Sequence, residues 1–132
     1  MVRPSSESPP ATILLVECDE AVRRYLSWSL HLEGFRVLAA KDGEHAHRLS
    51  DRLAAPIELL VIGALDHGDD SDELRKGLET HRPSLRTIVV GAVTEPEAPA
   101  TTLDPVRLPA TPSINAEAII GAVRTLLGTK ND

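Results

Sequence analysis

Aromatic residues are almost missing from this chain: its 132 residues include one Trp, one Tyr and one Phe. Tyr25, Trp28 and Phe35 cannot build an aromatic interior, so Leu, Val, Ile and Ala have to fill it. The length fits one domain, and a chain of this size buries roughly two-thirds of its unfolded surface. Cysteine occurs once, at Cys18, which excludes an internal disulfide. Positive charge is outnumbered, with 14 Lys and Arg against 20 Asp and Glu and a net charge of −6. No basic patch stands out, which argues against binding nucleic acid through its phosphates. No stretch approaches the roughly 20 apolar residues of a membrane span. The N-terminus lacks the charged-then-apolar pattern of a secretory leader. A cytoplasmic location is the expectation.

What the chain does have is a regular alternation of aliphatic runs and amphipathic stretches. Residues 1–11, rich in Ser and Pro, read as a disordered arm, residues 12–128 as one domain, and residues 129–132 as a tail. No internal repeat is present. Thr12–Val16 is a wholly apolar strand signal after its first residue, as expected where both faces are buried. Asp19 is placed to cap a helix running to about Glu33, closed by Gly34. In that helix Val22, Tyr25, Leu26, Ser29 and Leu32 share one face, with Trp28 at its margin and Arg23, Arg24, Ser27 and His31 opposite. Arg36–Ala40 is a second strand. Asp42 caps a helix to about Ala54 with Ala46, Leu49 and Leu53 inward, and Pro56 follows. Leu59–Ile62 is a third strand. Ser71 is the expected cap of a helix over Asp72–His81, with Leu74 and Leu78 inward. Thr87–Val90 is a fourth strand.

The rhythm then breaks. Pro96, Pro99 and Pro105 oppose a regular helix, so the fourth helix is expected to be shortened or irregular across residues 95–104. Val106–Leu108 is a weak fifth strand. Asn115 caps a last helix to about Leu127, with Ile119, Val123 and Leu126 on one stripe and Gly128 at its end. Strand–helix alternation of this kind predicts an α/β fold: a parallel sheet covered on both faces, in the flavodoxin-like doubly wound order 2-1-3-4-5. The functional crevice of such a fold lies beyond the C-terminal strand ends. That directs attention to Glu17–Asp19, Gly63–Asp70, Gly91–Thr94 and Leu108–Pro109.

Residues 13–49, ILLVECDEAVRRYLSWSLHLEGFRVLAAKDGEHAHRL, carry a resemblance to the receiver domains of response regulators in bacterial two-component signalling. They match the opening strand, acidic pair, first helix, Gly-aromatic turn, second strand and second helix start of that family. PIELLVIG at 56–63 resembles its third strand, RTIVVGA at 86–92 its fourth, and Pro109 its proline after a lysine. The resemblance implies phosphoryl transfer from a histidine kinase to an aspartate. Mg²⁺ offsets charge on the transferring group, while a lysine and a Ser/Thr contact its oxygens.

At the matching positions the chemistry is degenerate. Glu17 keeps the first carboxylate of the acidic pair, and Cys18 replaces the second. Gly63 stands at the phosphoacceptor position, Gly91 at the hydroxyl position and Leu108 at the lysine position. One carboxylate, with Asp19 drawn into capping a helix, would bind Mg²⁺ only weakly, so no cofactor or metal is expected. The implied role is a pseudo-receiver: a phosphorylation-independent interaction or dimerisation module, not an enzyme. Its partner would be a histidine kinase, an output domain or a second copy, met through the last helix and the fifth strand. Two alternatives stand beside it. A shifted register would make Asp66 a non-standard phosphoacceptor, and Cys18 at a strand end could serve as a redox switch.

Other candidate features have bland readings. Asp66, Asp69, Asp70, Asp72 and Glu73 lack calcium-loop spacing and read as a solvated approach to a helix N-terminus. His45 and His47 lie two apart on a helix and point in different directions. Gly63, Gly68 and Gly91 form no phosphate-cradling motif.

Overall fold

A computed structural model describes residues 10–65, 70–91, 105–108 and 116–127. Five parallel strands, β1 (Thr12–Val16), β2 (Arg36–Ala40), β3 (Leu59–Ile62), β4 (Arg86–Val90) and β5 (Val106–Leu108), form one sheet in the order β2-β1-β3-β4-β5. The helices are α1 (Glu20–Leu32), α2 (Gly43–Arg52), α3 (Ser71–His81) and α4 (Ala116–Leu127). This is the expected doubly wound architecture. The irregular connection expected over residues 95–104 falls outside the described residues, as do the arm at 1–9, Asn115, Gly128 and the tail.

The aliphatic runs of β1 and β3 are explained by burial on both faces. Ile13, Leu15, Leu59, Val61 and Ile88 point one way, into a cluster with Leu26 and Leu30 of α1 and Ile119 and Val123 of α4. Leu14, Val16, Leu60 and Ile62 point the other way, onto Ala46 of α2 and Leu74 and Leu78 of α3. Alternate residues of one strand therefore serve two separate cores. The only aromatic ring in either is that of Phe35.

Local chemistry sets the helix ends. Asp19 accepts the Val22 N–H at 3.0 Å, and Asp42 accepts the His45 N–H at 2.8 Å, as expected of both caps. The α1 C-terminus is a Schellman turn: Gly34, at φ +97°, donates to His31 and Phe35 donates to Leu30. The positive φ explains the glycine. Two expectations need correcting. The cap of α3 is Asp70, whose Oδ1 accepts from Asp72 and Glu73, and Ser71 is the first helical residue. The buried residues of α1 are Leu26 and Leu30, while Tyr25 and Leu32 lie exposed. Leu30 and Leu26 are four apart and share a stripe that excludes Tyr25.

Helix α2 ends at Arg52, two residues before the expected stop, and its C-terminus is held from outside. Arg82 donates to the carbonyls of Ser50, Leu53 and Ala55 and to the Ser50 hydroxyl. One guanidinium thus reaches three carbonyls at and just beyond the helix end, of which that of Ser50 also accepts the Leu53 N–H.

Candidate functional site

The sheet order places the loops after β1 and β3 side by side. Two backbone bonds lock them together: Gly63 N–H to Val16 O at 2.8 Å, and Cys18 N–H to Ala64 O at 2.9 Å. This is the crevice where a doubly wound fold binds its ligands.

Glu17 is the first residue past β1, and it is fully buried. Its backbone N–H bonds to Ala40 O of β2, and its carbonyl accepts from Arg23 Nη1 at 2.9 Å. The side chain turns away from β2 towards the end of β3. There Oε1 accepts the Ala64 N–H at 2.9 Å, and Oε2 accepts the Asp19 N–H at 3.0 Å. The loops on both sides of the crevice thereby satisfy one carboxyl group.

The same carboxyl group occupies the space above Gly63. A Cβ built on Gly63 would overlap Glu17 Oε1 and stand 3.2 Å from its Cδ. Gly63 has no positive φ, so its backbone would tolerate a side chain. The obstacle is the neighbouring carboxyl group. Glu17 and Gly63 are complementary: the extra methylene of a glutamate reaches into the space that a residue without a side chain leaves.

The remaining positions fall in two places. Cys18 is half-buried beside Glu17, and Asp19 caps α1 as expected. Gly91 and Leu108 meet across the ends of β4 and β5, where the Gly91 N–H bonds to Leu108 O at 2.6 Å. Gly91 sits at φ +95°, a conformation that disfavours any residue with a Cβ. Leu108 is 7% exposed and belongs to the core shared with α1 and α4. Asp66 and Pro109 lie outside the described residues. Sequence reading identified Glu17 and Gly63 separately but missed that one fills the place of the other. Arg23 on the Glu17 carbonyl was also missed, having been assigned to the solvent face of α1.

The expected contact surface is the β5 edge with α4. Arg124 of α4 forms an ion pair with Glu33, the residue after α1, so it ties two helices together. Among the described residues, no helix is long and apolar enough to cross a membrane.

Sheet order, helix placement and the crevice at β1 and β3 give a flavodoxin-like doubly wound fold that is similar to the receiver domains of response regulators. Solved structures carry the same fold. The receiver domain of the hybrid histidine kinase CckA is 27% identical, with a TM-score of 0.72 over 89% of this chain and 99% of that one. A CheY-like receiver from Methanospirillum hungatei JF-1 is 18% identical, with a TM-score of 0.71 over 90% of this chain and 94% of that one. CheY of Borrelia burgdorferi, in a complex with CheX, BeF₃ and Mg²⁺, is 14% identical with a TM-score of 0.73 and 92% of each chain covered. In sequence, Protein PetR of Rhodobacter capsulatus is 37% identical over 75 residues, which make up 57% of this chain and 30% of PetR. The chain thus matches less than a third of that relative's length. No protein-family model matches it.

Proposed function

We propose that this receiver-type domain is a pseudo-receiver: a phosphorylation-independent module that signals by binding protein and performs no catalysis of its own. The observation that carries the reading is the Glu17 carboxyl group in the space above Gly63. A receiver's chemistry needs a carboxylate nucleophile at that strand end, and here the position has no side chain and its space is taken.

The other positions agree. Leu108 is packed into the core and offers no cation to a phosphoryl group, and Gly91 has no hydroxyl. The donor set does not suit Mg²⁺, which wants near-octahedral oxygen ligands. Both Glu17 oxygens already accept backbone N–H groups, and Asp19 is committed to α1. Among the described residues, no three His, Cys, Asp or Glu side chains are grouped to hold a metal. The partner would be a histidine kinase, an output domain or a second copy. The short β5 edge beside α4 suits such contact, because an outer strand calls for covering or pairing.

The test is titration with Mg²⁺ and then with acetyl phosphate or beryllofluoride, followed by amide NMR. Unchanged spectra are expected. Saturable shifts at residues 17–19 and 63–66 would overturn the proposal and promote Asp66 as acceptor.

A further inference from the structure

Tyr25, Trp28 and Leu32 are the large hydrophobic residues left exposed among the described residues, and all three lie on α1. Trp28, 63% exposed, overhangs a groove of about 410 Å³ between α1 and β2. Ser27 flanks the groove, and Val37 and Ala39 of β2 form its floor.

Two properties of the groove specify an occupant. The first is charge. Its ionisable lining residues are Arg23, Arg24 and His31, all basic, in a chain of net charge −6. Among the described residues Arg24 pairs with Glu20 alone, at 3.8 Å with both side chains more than 70% exposed, a pairing that water largely screens. The second is backbone. β2 is an outer strand. Arg36 N–H turns inward to Ala11 O, and Ala40 O accepts inward from Glu17 N–H. By the alternation of a strand, the N–H and C=O groups of Val37 and Ala39 therefore point outward. Val37 and Ala39, which line the groove, are thus the residues whose outward edge groups meet no further strand among the described residues.

We propose that this groove takes an extended acidic segment of a partner protein. The segment adds to β2 as a further strand, its acidic side chains meet Arg23 and Arg24, and an apolar side chain packs on Trp28. A second copy is a poor occupant, because a two-fold pairing of β2 edges would bring Arg23, Arg24 and His31 against themselves. The inference rests on the protein-binding role proposed above and gives it a second surface, on the sheet edge opposite β5, with the partner's chemistry there.

The test is to pan phage-displayed random short peptides against the whole chain, then synthesise the enriched sequences. Enrichment of alternating acidic and apolar residues is expected. The peptides should blue-shift Trp28 emission saturably and perturb the Val37 and Ala39 amides. They should bind Arg24→Glu roughly tenfold more weakly or worse, at unchanged thermal stability. Added salt should weaken them too. Basic or neutral enrichment, no enrichment, amide shifts confined to α4 and β5, or equal binding to Arg24→Glu would each overturn the proposal. So would self-association of the chain that Arg24→Glu abolishes, which would give the groove to a second copy. The acetyl phosphate titration stands apart from all of these outcomes, so the two readings fail separately.

Discussion

Glu17 and Gly63 lie on neighbouring strand ends and share one side chain's worth of space, which the glutamate fills. The pair therefore behaves as a unit. Gly63→Ala should cost about 1–3 kcal/mol, the usual penalty of forcing a methyl group into a packed site. In a Glu17→Ala background the same change should cost little. Urea unfolding of the two single variants and the double variant, followed by far-UV circular dichroism, gives the coupling. Additive costs would show that the two positions do not compete. Gly63→Asp alone should leave the chain unlabelled by acetyl phosphate, since the carboxyl group of Glu17 still holds the site.

Arg82 is the clamp on the end of α2, with hydrogen bonds to three carbonyls and one hydroxyl. Arg82→Ala should destabilise the domain by about 2–3 kcal/mol, because hydrogen bonds from a charged donor are each worth more than a neutral pair. Arg82→Lys should recover less than half of that loss, since one ammonium cannot span the same acceptors. Denaturant midpoints check both. Full rescue by lysine would show that charge, and not the planar fork, holds the helix end.

Thr87 is a buried hydroxyl in the middle of the sheet. Its side chain is 1% exposed, and Oγ1 has no hydrogen-bond partner among the described residues. Thr87→Val keeps the shape and removes the desolvated oxygen, so it should stabilise by about 1 kcal/mol. A loss of stability in thermal unfolding would reveal a partner for that hydroxyl.

Asp70 and Ser71 compete for the start of α3, and the geometry favours Asp70. Asp70→Ala should cost about 1 kcal/mol, the usual loss of a helix cap. Ser71→Ala should be close to neutral. The reverse ranking would restore the serine as cap.

The strands were legible because both faces of the sheet are covered, and the aliphatic runs TILLV, LLVI and TIVV leave little choice of boundary, although β4 begins one residue before its run, at Arg86. The helix starts at Asp19 and Asp42 were legible for a local reason: a side chain one turn away satisfies the first N–H groups. The face of α1 was misread because the stripe drawn through Val22, Tyr25, Leu26, Ser29 and Leu32 leaves out Leu30, which is buried. Tyr25 and Leu32 lie outside the stripe set by Leu26 and Leu30. The degenerate positions could be picked out one at a time. What joins Glu17 to Gly63 is a side-chain direction, set by the N–H groups of Asp19 and Ala64, and residues 46 apart in the chain give no local sign of it.

The aliphatic interior has a practical consequence for anyone following this domain in solution. Its indole is 63% exposed and its phenol 51% exposed in the native state, while Phe35, the one buried ring, fluoresces weakly. Unfolding carries neither strong fluorophore out of an apolar interior, so native and denatured chains should emit almost alike. Intrinsic fluorescence is thus nearly blind to global unfolding, yet sensitive to anything that settles over α1. Replacing Phe35 with Trp, in a Trp28→Phe background, would move the reporter into the core and reverse that selectivity.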